Sequence, residues 1–385
     1  LFLQNKIENG SLEAICDTND EFAKNFPNIP FYKEVDNFFD KKLIDVAIIA
    51  TPHRSHIDLG KQALKRNINI IIEKPLAVTS IQCREFIEFS KKYDSNFGIM
   101  LNQRTNPAFI KLKKMITSGE LGKIHRYQWT ITDWFRTNYY YNISDWRATW
   151  KGEGGGVLMN QSIHQLDLCQ WLFGMPHSVV TDMQLGHFHN IEVEDEVTSI
   201  LKYKDGMKGI FSTTTGETPG VNRLEIASDY GLVIYENNCL TWKKLSETST
   251  SFIKNSQTLF DKPAVETLQF EFPNDEDQHV EHNRILQNFT NFLLGKENLH
   301  AIMGKFAKIN SRLLDRPNIT NRNTVNTLHH QHFAPAVIPV NPGHVNHFGI
   351  WEVAAQLAGV SPFTHHVQFI MDGFVVISDN LKRSQ

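Results

Sequence analysis

The sequence predicts an α/β chain in two parts: a doubly wound parallel sheet over residues 1–103, then an α+β domain with a mostly antiparallel open sheet over residues 104–300. Three observations carry this. Residues 1–103 alternate short apolar runs of strand length with amphipathic stretches of helix length. Polar or charged residues stand directly after three of the apolar runs, at Asp17, Thr51 and Glu73. Beyond residue 104 the pattern changes to two helices followed by strands at hairpin spacing.

The elements follow in order. Leu12–Cys16 reads as a short buried strand ending in Asp17, and Asn19–Phe26 as a helix before the proline-punctuated turn NIPFYKEVDNFF. Ile44–Ala50 is a continuous apolar strand, as expected where helices cover both faces of a sheet, and Thr51-Pro52 stops it. His56–Arg66 is a helix with Ile57, Leu59, Ala63 and Leu64 on its apolar side; Ile68–Ile72 is the next strand and meets Glu73-Lys74-Pro75. Thr79–Tyr93 is a helix capped by Thr79 or Ser80, and Asn96–Leu101 a strand. Pro107–Ser118 and Leu158–Phe173 are helices. Strands follow at Val179–His187, Val197–Tyr203, Met207–Thr214, Arg223–Ala227, Leu232–Tyr235 and Cys239–Lys243, with turn signals at Asp205-Gly206 and Asn237-Asn238. Residues 244–277 read as polar and irregular, and Glu281–Leu294 as an amphipathic helix.

Composition narrows the function classes. The 385 residues are 41% hydrophobic and 21% charged with a formal charge of −3, values that exclude a disordered chain and a strongly basic nucleic-acid binder. The apolar runs, such as Val46–Ala50 and Ile70–Ile72, are too short to span a bilayer, so neither a nucleic acid nor a membrane is an expected partner. Cys16, Cys83, Cys169 and Cys239 are scattered without a CxxC pair, a usage suited to a reducing, cytoplasmic compartment.

In a doubly wound sheet, ligands bind beyond the carboxyl ends of the strands. Asp17 there suits the ribose hydroxyls of a dinucleotide and repels a 2′-phosphate, which favours NAD over NADP; the alternative is a turn-starting aspartate. In ATPHRSH, Thr51 and Pro52 are placed along the cofactor's sugar and nicotinamide side, with His56 near the next helix; the alternative is a helix-entry turn capped by Ser55. Lys74, between a buried strand and a proline, is expected to have its ammonium disfavoured and to polarise or relay a proton from a substrate hydroxyl. In EGGGVLMNQSIHQLDL the three glycines allow close backbone approach. Asn160, His164 and Asp167 follow at i, i+4 and i+7, which predicts one polar helix face.

These residues, with NQR at Asn102–Arg104, WRATWKGEGGGVLMNQSIHQLDL at Trp146–Leu168 and IEVEDEVTSILKYKDGMKGIF at Ile191–Phe211, resemble the Gfo/Idh/MocA oxidoreductases over about residues 1–300. The resemblance implies a Rossmann domain and an open-sheet domain, NAD as cofactor, and redox chemistry at a secondary hydroxyl of a sugar, inositol or nucleotide sugar. The family lysine falls on Lys74 and the family histidine on His164. Asn160 stands where many members carry Asp, which removes a carboxylate beside His164. On this reading His164 is the general base, Lys74 the polarising or relaying group, and Asn160 a substrate hydrogen-bonding residue. Glu73, Gln103 and Arg104 join the cofactor side, while Trp146, Arg147, Trp150 and Asp167 line the substrate side, with Arg104 close to both. A second subunit on the open sheet is implied as well. Two alternatives are an NAD-recycling glycosidase or eliminase of the same family, and a non-catalytic assembly or binding protein.

Two departures are expected. The family's first strand and GxGxxG loop have no counterpart, so Leu1–Lys6 reads as the end of the helix behind that loop and the chain as a fragment. At the other end, residues 301–385 hold four Asp or Glu against 38 in residues 1–300 and read as a tail of uncertain origin. Phe306–Leu314 is a candidate final helix there. His329, His330 and His332 lack a carboxylate or cysteine nearby, so no metal site is expected.

Overall fold

A computed structural model of the protein describes residues 6–41, 44–272, 280–296, 336–339 and 374–378. The expectations for Leu1–Asn5, Phe306–Leu314 and the tail histidines lie outside the described residues.

The first sheet has six strands in the order β2-β1-β15-β3-β4-β5: β1 (Ser11–Cys16), β2 (Phe31–Tyr32), β3 (Val46–Ile49), β4 (Asn69–Ile72), β5 (Phe97–Ile99) and β15 (Phe374–Ser378). β1 pairs parallel with β2, and β3 and β5 pair parallel with β4. Side chains alternate between two cores, as period-two strands require. Ala47, Ile49, Ile70 and Ile72 face a core shared with α1 (Val35–Asp40), α2 (His56–Lys65) and α3 (Ser80–Ser90). Val46, Ile48 and Ile71 face Ile285, Leu286 and Phe289 of α8 (Val280–Leu293), whose chain returns from the far domain to cover the opposite side. The strands are continuously apolar because both faces are covered.

Two strands of this sheet were not anticipated: β2 lies in the stretch read as a turn, and the other comes from the tail. β15 from the tail runs between β1 and β3, antiparallel to both, so the sheet is mixed rather than wholly parallel. An apolar FVVIS segment satisfies two strand edges that would otherwise leave backbone groups unpaired.

The second sheet has nine strands in the order β13-β12-β11-β10-β6-β9-β8-β7-β14. They are β6 (Ile124–Ile131), β7 (Ser178–Leu185), β8 (Glu194–Lys202), β9 (Lys208–Thr214), β10 (Asn222–Ser228), β11 (Gly231–Glu236), β12 (Cys239–Leu245), β13 (Val265–Glu271) and β14 (Ala336–Pro339). Every pairing is antiparallel except β6 with β9. The turns at Asp205-Gly206 and Asn237-Asn238 form as expected, with φ of 90° at Gly206 and 49° and 55° at the two asparagines. Within the stretch read as irregular lie α7 (Ser249–Asn255) and β13; VETLQFE is polar because it is an edge strand, paired to β12 alone. One face of this sheet packs Trp129, Phe211, Leu224 and Trp242 against α4 (Pro107–Thr117) and α6 (Ile163–Phe173). The other face carries no helix among the described residues.

The glycine run brings α6 to the sheet. A Cβ on Gly156 would fall 1.9 Å from the carbonyl oxygen of Glu194, and Gly154 has φ +85° with Val78 beside it, so neither position takes a side chain. Val157 N–H then donates to Glu194 O at 2.9 Å and Leu158 N–H to Glu194 Oε1 at 3.1 Å. Glu194 Oε2 is enclosed without a partner, and burial pushes this carboxyl from 4.5 up to about 7. A folded pKa above the unfolded one means that the native state holds a proton the unfolded state has released. Its stabilising contribution is therefore lost as pH rises from about 4.5 through about 7. Glu194→Gln is expected to remove that loss, which amounts to about 3 kcal/mol by pH 8. Denaturant melts at pH 5 and pH 8 check it: the variant's advantage must grow with pH.

Candidate active site

The site forms where the carboxyl end of the first sheet meets the turn before α6. Lys74, directly after β4 and Glu73, is half-buried. Its Nζ donates to the backbone oxygen of Asn160 at 2.9 Å and to Asn160 Oδ1 at 2.8 Å. Asn160 is not on the helix, which starts only at Ile163; it belongs to the turn over residues 157–162. The single polar helix face is therefore corrected: Asn160 faces Lys74 because the turn presents both of its oxygens, not because of helical spacing.

Behind Asn160 lies a residue the sequence reading left unassigned. Glu153, 1% exposed, accepts the Asn160 Nδ2 hydrogen with Oε1 and the Ala148 N–H with Oε2 at 2.7 Å. This fixes the amide orientation, since Nδ2 turned to Glu153 leaves Oδ1 for Lys74. A carboxylate is thus supplied behind Asn160 by Glu153, seven residues earlier in the chain. Its only sequence signal was a charged residue before three glycines.

Burial is the largest influence on each titratable group here. It lowers the Lys74 ammonium, opposed by Glu73 and Glu153 and reinforced by Arg147 and Arg136. It raises the carboxyls of Glu73 and Glu153. The His164 imidazolium is pushed well below 6.5 by burial, then by Lys74 and His282, so the ring is a neutral base at ordinary pH. His164 Nδ1 is enclosed without a partner. A lysine and a histidine biased to their neutral forms form a pair able to exchange a proton with a hydroxyl.

His56 is corrected from a cofactor residue to a clamp. It is wholly buried, with Nδ1 2.6 Å from Pro75 O and Nε2 2.7 Å from Thr51 O, so both ring nitrogens are occupied by the two loops they join. Its neighbour His53, unassigned from the sequence, meets Glu153 O at 3.1 Å and packs edge-on against Trp146, with ring centroids 5.3 Å apart. Thr51 is buried and its hydroxyl accepts from Ser55 at 2.6 Å; Pro52 beside it is half-buried. Asp17 follows β1 and accepts the Asn19 N–H at 2.8 Å with Oδ1, while Oδ2 has no hydrogen bond among the described residues. That free acceptor at a strand end fits a ribose hydroxyl.

Arg104 and Asp167 are corrected from ligand contacts to an internal brace. Arg104 Nε and Nη2 donate to Asp167 Oδ2 and Oδ1, each at 2.5 Å, with side chains 4% and 2% exposed. Both edges that would meet a ligand are used on each other. Gln103 Oε1 is taken by Gln165 Nε2 at 2.9 Å. Trp150 packs with Tyr141, Ala148 and Val193, and its carbonyl accepts from Arg54. The Arg147 guanidinium lies 4.8 Å from the Trp146 ring centroid and 4.8 Å from that of Tyr140.

No helix among the described residues is long and apolar enough to cross a membrane, and no cluster of metal-ligating side chains occurs among them.

Known proteins match this arrangement in both halves. Residues 2–99 match the family model described as an oxidoreductase family with an NAD-binding Rossmann fold, and residues 109–234 match the GFO/IDH/MocA C-terminal domain. The oxidoreductase YdgJ of Escherichia coli strain K12 is 28% identical over 175 residues, 44% of this chain and 48% of YdgJ. The chain thus spans about half the length of that curated relative. Among solved structures, the WlbA dehydrogenase of Bordetella pertussis in complex with NADH and UDP-GlcNAcA superposes with a TM-score of 0.59 at 21% identity, covering 74% of this chain and 81% of WlbA. A levoglucosan dehydrogenase complexed with NADH and levoglucosan superposes at 0.60 with 19% identity and the same coverage. With a fold shared at that level and both family models matched in order along one chain, the protein belongs to the Gfo/Idh/MocA family of oxidoreductases.

Proposed function

We propose that the protein moves a hydride between C4 of NAD and a secondary hydroxyl of a sugar-like or polyol substrate. The observation that carries this is the convergence of Lys74, Asn160 and His164 where the two domains meet, with burial keeping His164 neutral and making the Lys74 ammonium more acidic than usual. NAD, when bound, supplies the hydride acceptor. Asp17 holds its adenosine ribose, Thr51, Pro52 and Glu73 border it, and Asp17 disfavours the 2′-phosphate of NADP. His164 takes the hydroxyl proton. As an ammonium Lys74 has three N–H groups, and the two on Asn160 leave one for the developing alkoxide; burial makes that ammonium the readier to give up its proton. Trp146 and Arg147 border the substrate. The sugar-derived ligands of the WlbA and levoglucosan dehydrogenase complexes support the substrate class.

Assembly through the open sheet belongs to the same reading. The cross-strand row Ile200, Ile210, Gln128, Glu225 and Ile234 runs across it, opposite the face that buries Leu201, Phe211 and Val233. Outward isoleucines, with Ile200 43% exposed and paired to Ile210, favour a second copy on this face; light scattering is expected to show a mass above that of one chain.

The test is absorbance at 340 nm with NAD and a panel of inositols, sugars and sugar nucleotides. Net NADH formation with at least one of them is expected. Substrate cleavage without net NADH would establish the recycling glycosidase or eliminase instead. Turnover unchanged in both Lys74→Ala and His164→Ala would remove the site from catalysis altogether.

A further inference from the structure

We propose that Arg136 and Arg147 form an oxyanion-binding edge on the substrate side of the Lys74–His164 site, selecting a hydroxylated substrate that carries a carboxylate over its neutral counterpart. The inference rests on the oxidoreductase reading of that site and names the substrate class within it.

The two guanidinium groups flank one ring. Arg136 Cζ lies 5.0 Å from the Tyr140 centroid and 5.5 Å from that of Trp134; Arg147 stacks on Tyr140 and Trp146. The Tyr140 hydroxyl accepts from Arg147 Nη1 at 2.9 Å and from Gln161 Nε2 at 3.4 Å. Arg136 Nη1 donates to the backbone oxygens of Trp134 and Phe135. What remains on each is the same edge. Nε of both arginines is enclosed without a partner, and Nη2 of neither makes a hydrogen bond among the described residues. Elsewhere the protein shows what that edge holds: Arg104 grips Asp167 with Nε and Nη2 in a bidentate fork.

Stacking on aromatic faces leaves the in-plane N–H groups unused, and it does not account for two enclosed donors that lack acceptors, each of which costs stability. Arg66, Arg104, Arg126 and Arg223 all meet a carboxylate, whereas no ion pair with a described residue reaches Arg136 or Arg147. The nearby Glu153 does not serve, because its oxygens hold Asn160 and Ala148. Tyr140, which both guanidiniums flank, accepts from Gln161, the chain neighbour of the Asn160 that holds Lys74, so the two arginines border the Lys74 site. The planar fork matches a carboxylate bidentately. A phosphate presents the same oxygen chemistry and is the second source to be distinguished.

Calorimetry on the full chain with D-galacturonate, D-galactose 6-phosphate and D-galactose at low salt tests the proposal. Galacturonate is expected to bind about tenfold or more tighter than galactose, with the difference shrinking as salt is raised. The preference should be lost in Arg136→Gln and Arg147→Gln. It should be partly retained in the corresponding lysine variants, which keep the charge without the fork and serve if the glutamine variants fail to fold. Phosphate binding above the uronate, with the same arginine dependence, would assign the edge to a phosphate and overturn the carboxylate. Equal binding of all three, binding of none, or a preference unchanged in both arginine variants overturns the edge itself. Because calorimetry needs no turnover, absence of NADH formation with every substrate would fail the oxidoreductase reading while leaving this result legible.

Discussion

Lys74→Ala is expected to lower kcat for hydride transfer by about two to four orders of magnitude, the range for removing a positioned acid–base group, with a far smaller change in NADH affinity. The geometry makes the loss specific. Asn160 anchors Nζ through two oxygens, and Glu153 anchors Asn160, so one ammonium hydrogen is directed rather than free to rotate. The same chain makes Glu153 a positioning residue with its own signature. Glu153→Gln removes a negative charge that supports the Lys74 ammonium, so the basic limb of the kcat/KM profile should move to lower pH. Glu153→Gln combined with Asn160→Asp conserves both the charge and the hydrogen bonds: the new amide accepts from Ala148 N–H and donates to the new carboxylate, which faces Lys74. The limb should then return toward its original position. A basic limb unmoved by Glu153→Gln, or a double variant poorer than either single one, would show that Glu153 merely packs.

The case of Glu153 also shows how far the sequence could be read. Lys74 stood out as a candidate because a lysine between an all-apolar strand and a proline has few bland explanations, and His164 because it stands on a helix with a polar stripe behind a glycine-rich entry. Most strands were legible from periodicity, but not all: β6 was missed although Tyr127, Trp129 and Ile131 alternate inward, β13 is polar because it is an edge, and β2, β14 and β15 are too short or too remote in sequence for a local pattern to place them. The partners of polar residues were the least accessible. Asn160 lies seven residues from Glu153 and 86 from Lys74, and the irregular turn that joins them breaks the helical spacing used to group it with Asp167. His56 looked like a ligand because it stands at a strand end; only burial of both ring nitrogens against carbonyl oxygens reveals the clamp.

Asp167 provides the second large effect, and its sign separates the two roles open to it. Asp167→Leu is expected to destabilise the protein by about 3–5 kcal/mol, because it strands the Arg104 guanidinium at a buried site without its counter-charge. The pair ties the segment Asn102–Thr105 to the middle of α6, and the Trp171 ring lies 5.8 Å from Arg104. Loss of the pair therefore loosens the helix that carries His164. Arg104→Met with Asp167→Leu replaces both charges by apolar groups of similar bulk, and such exchanges are often near neutral. The double variant should accordingly be more stable than Asp167→Leu alone, with a coupling of the sign and size seen for directly bonded pairs. Chemical denaturation of the four proteins in the cycle measures this. A substrate-binding Asp167 would behave in the opposite way: its replacement would raise KM at unchanged stability, and removing Arg104 as well would rescue nothing.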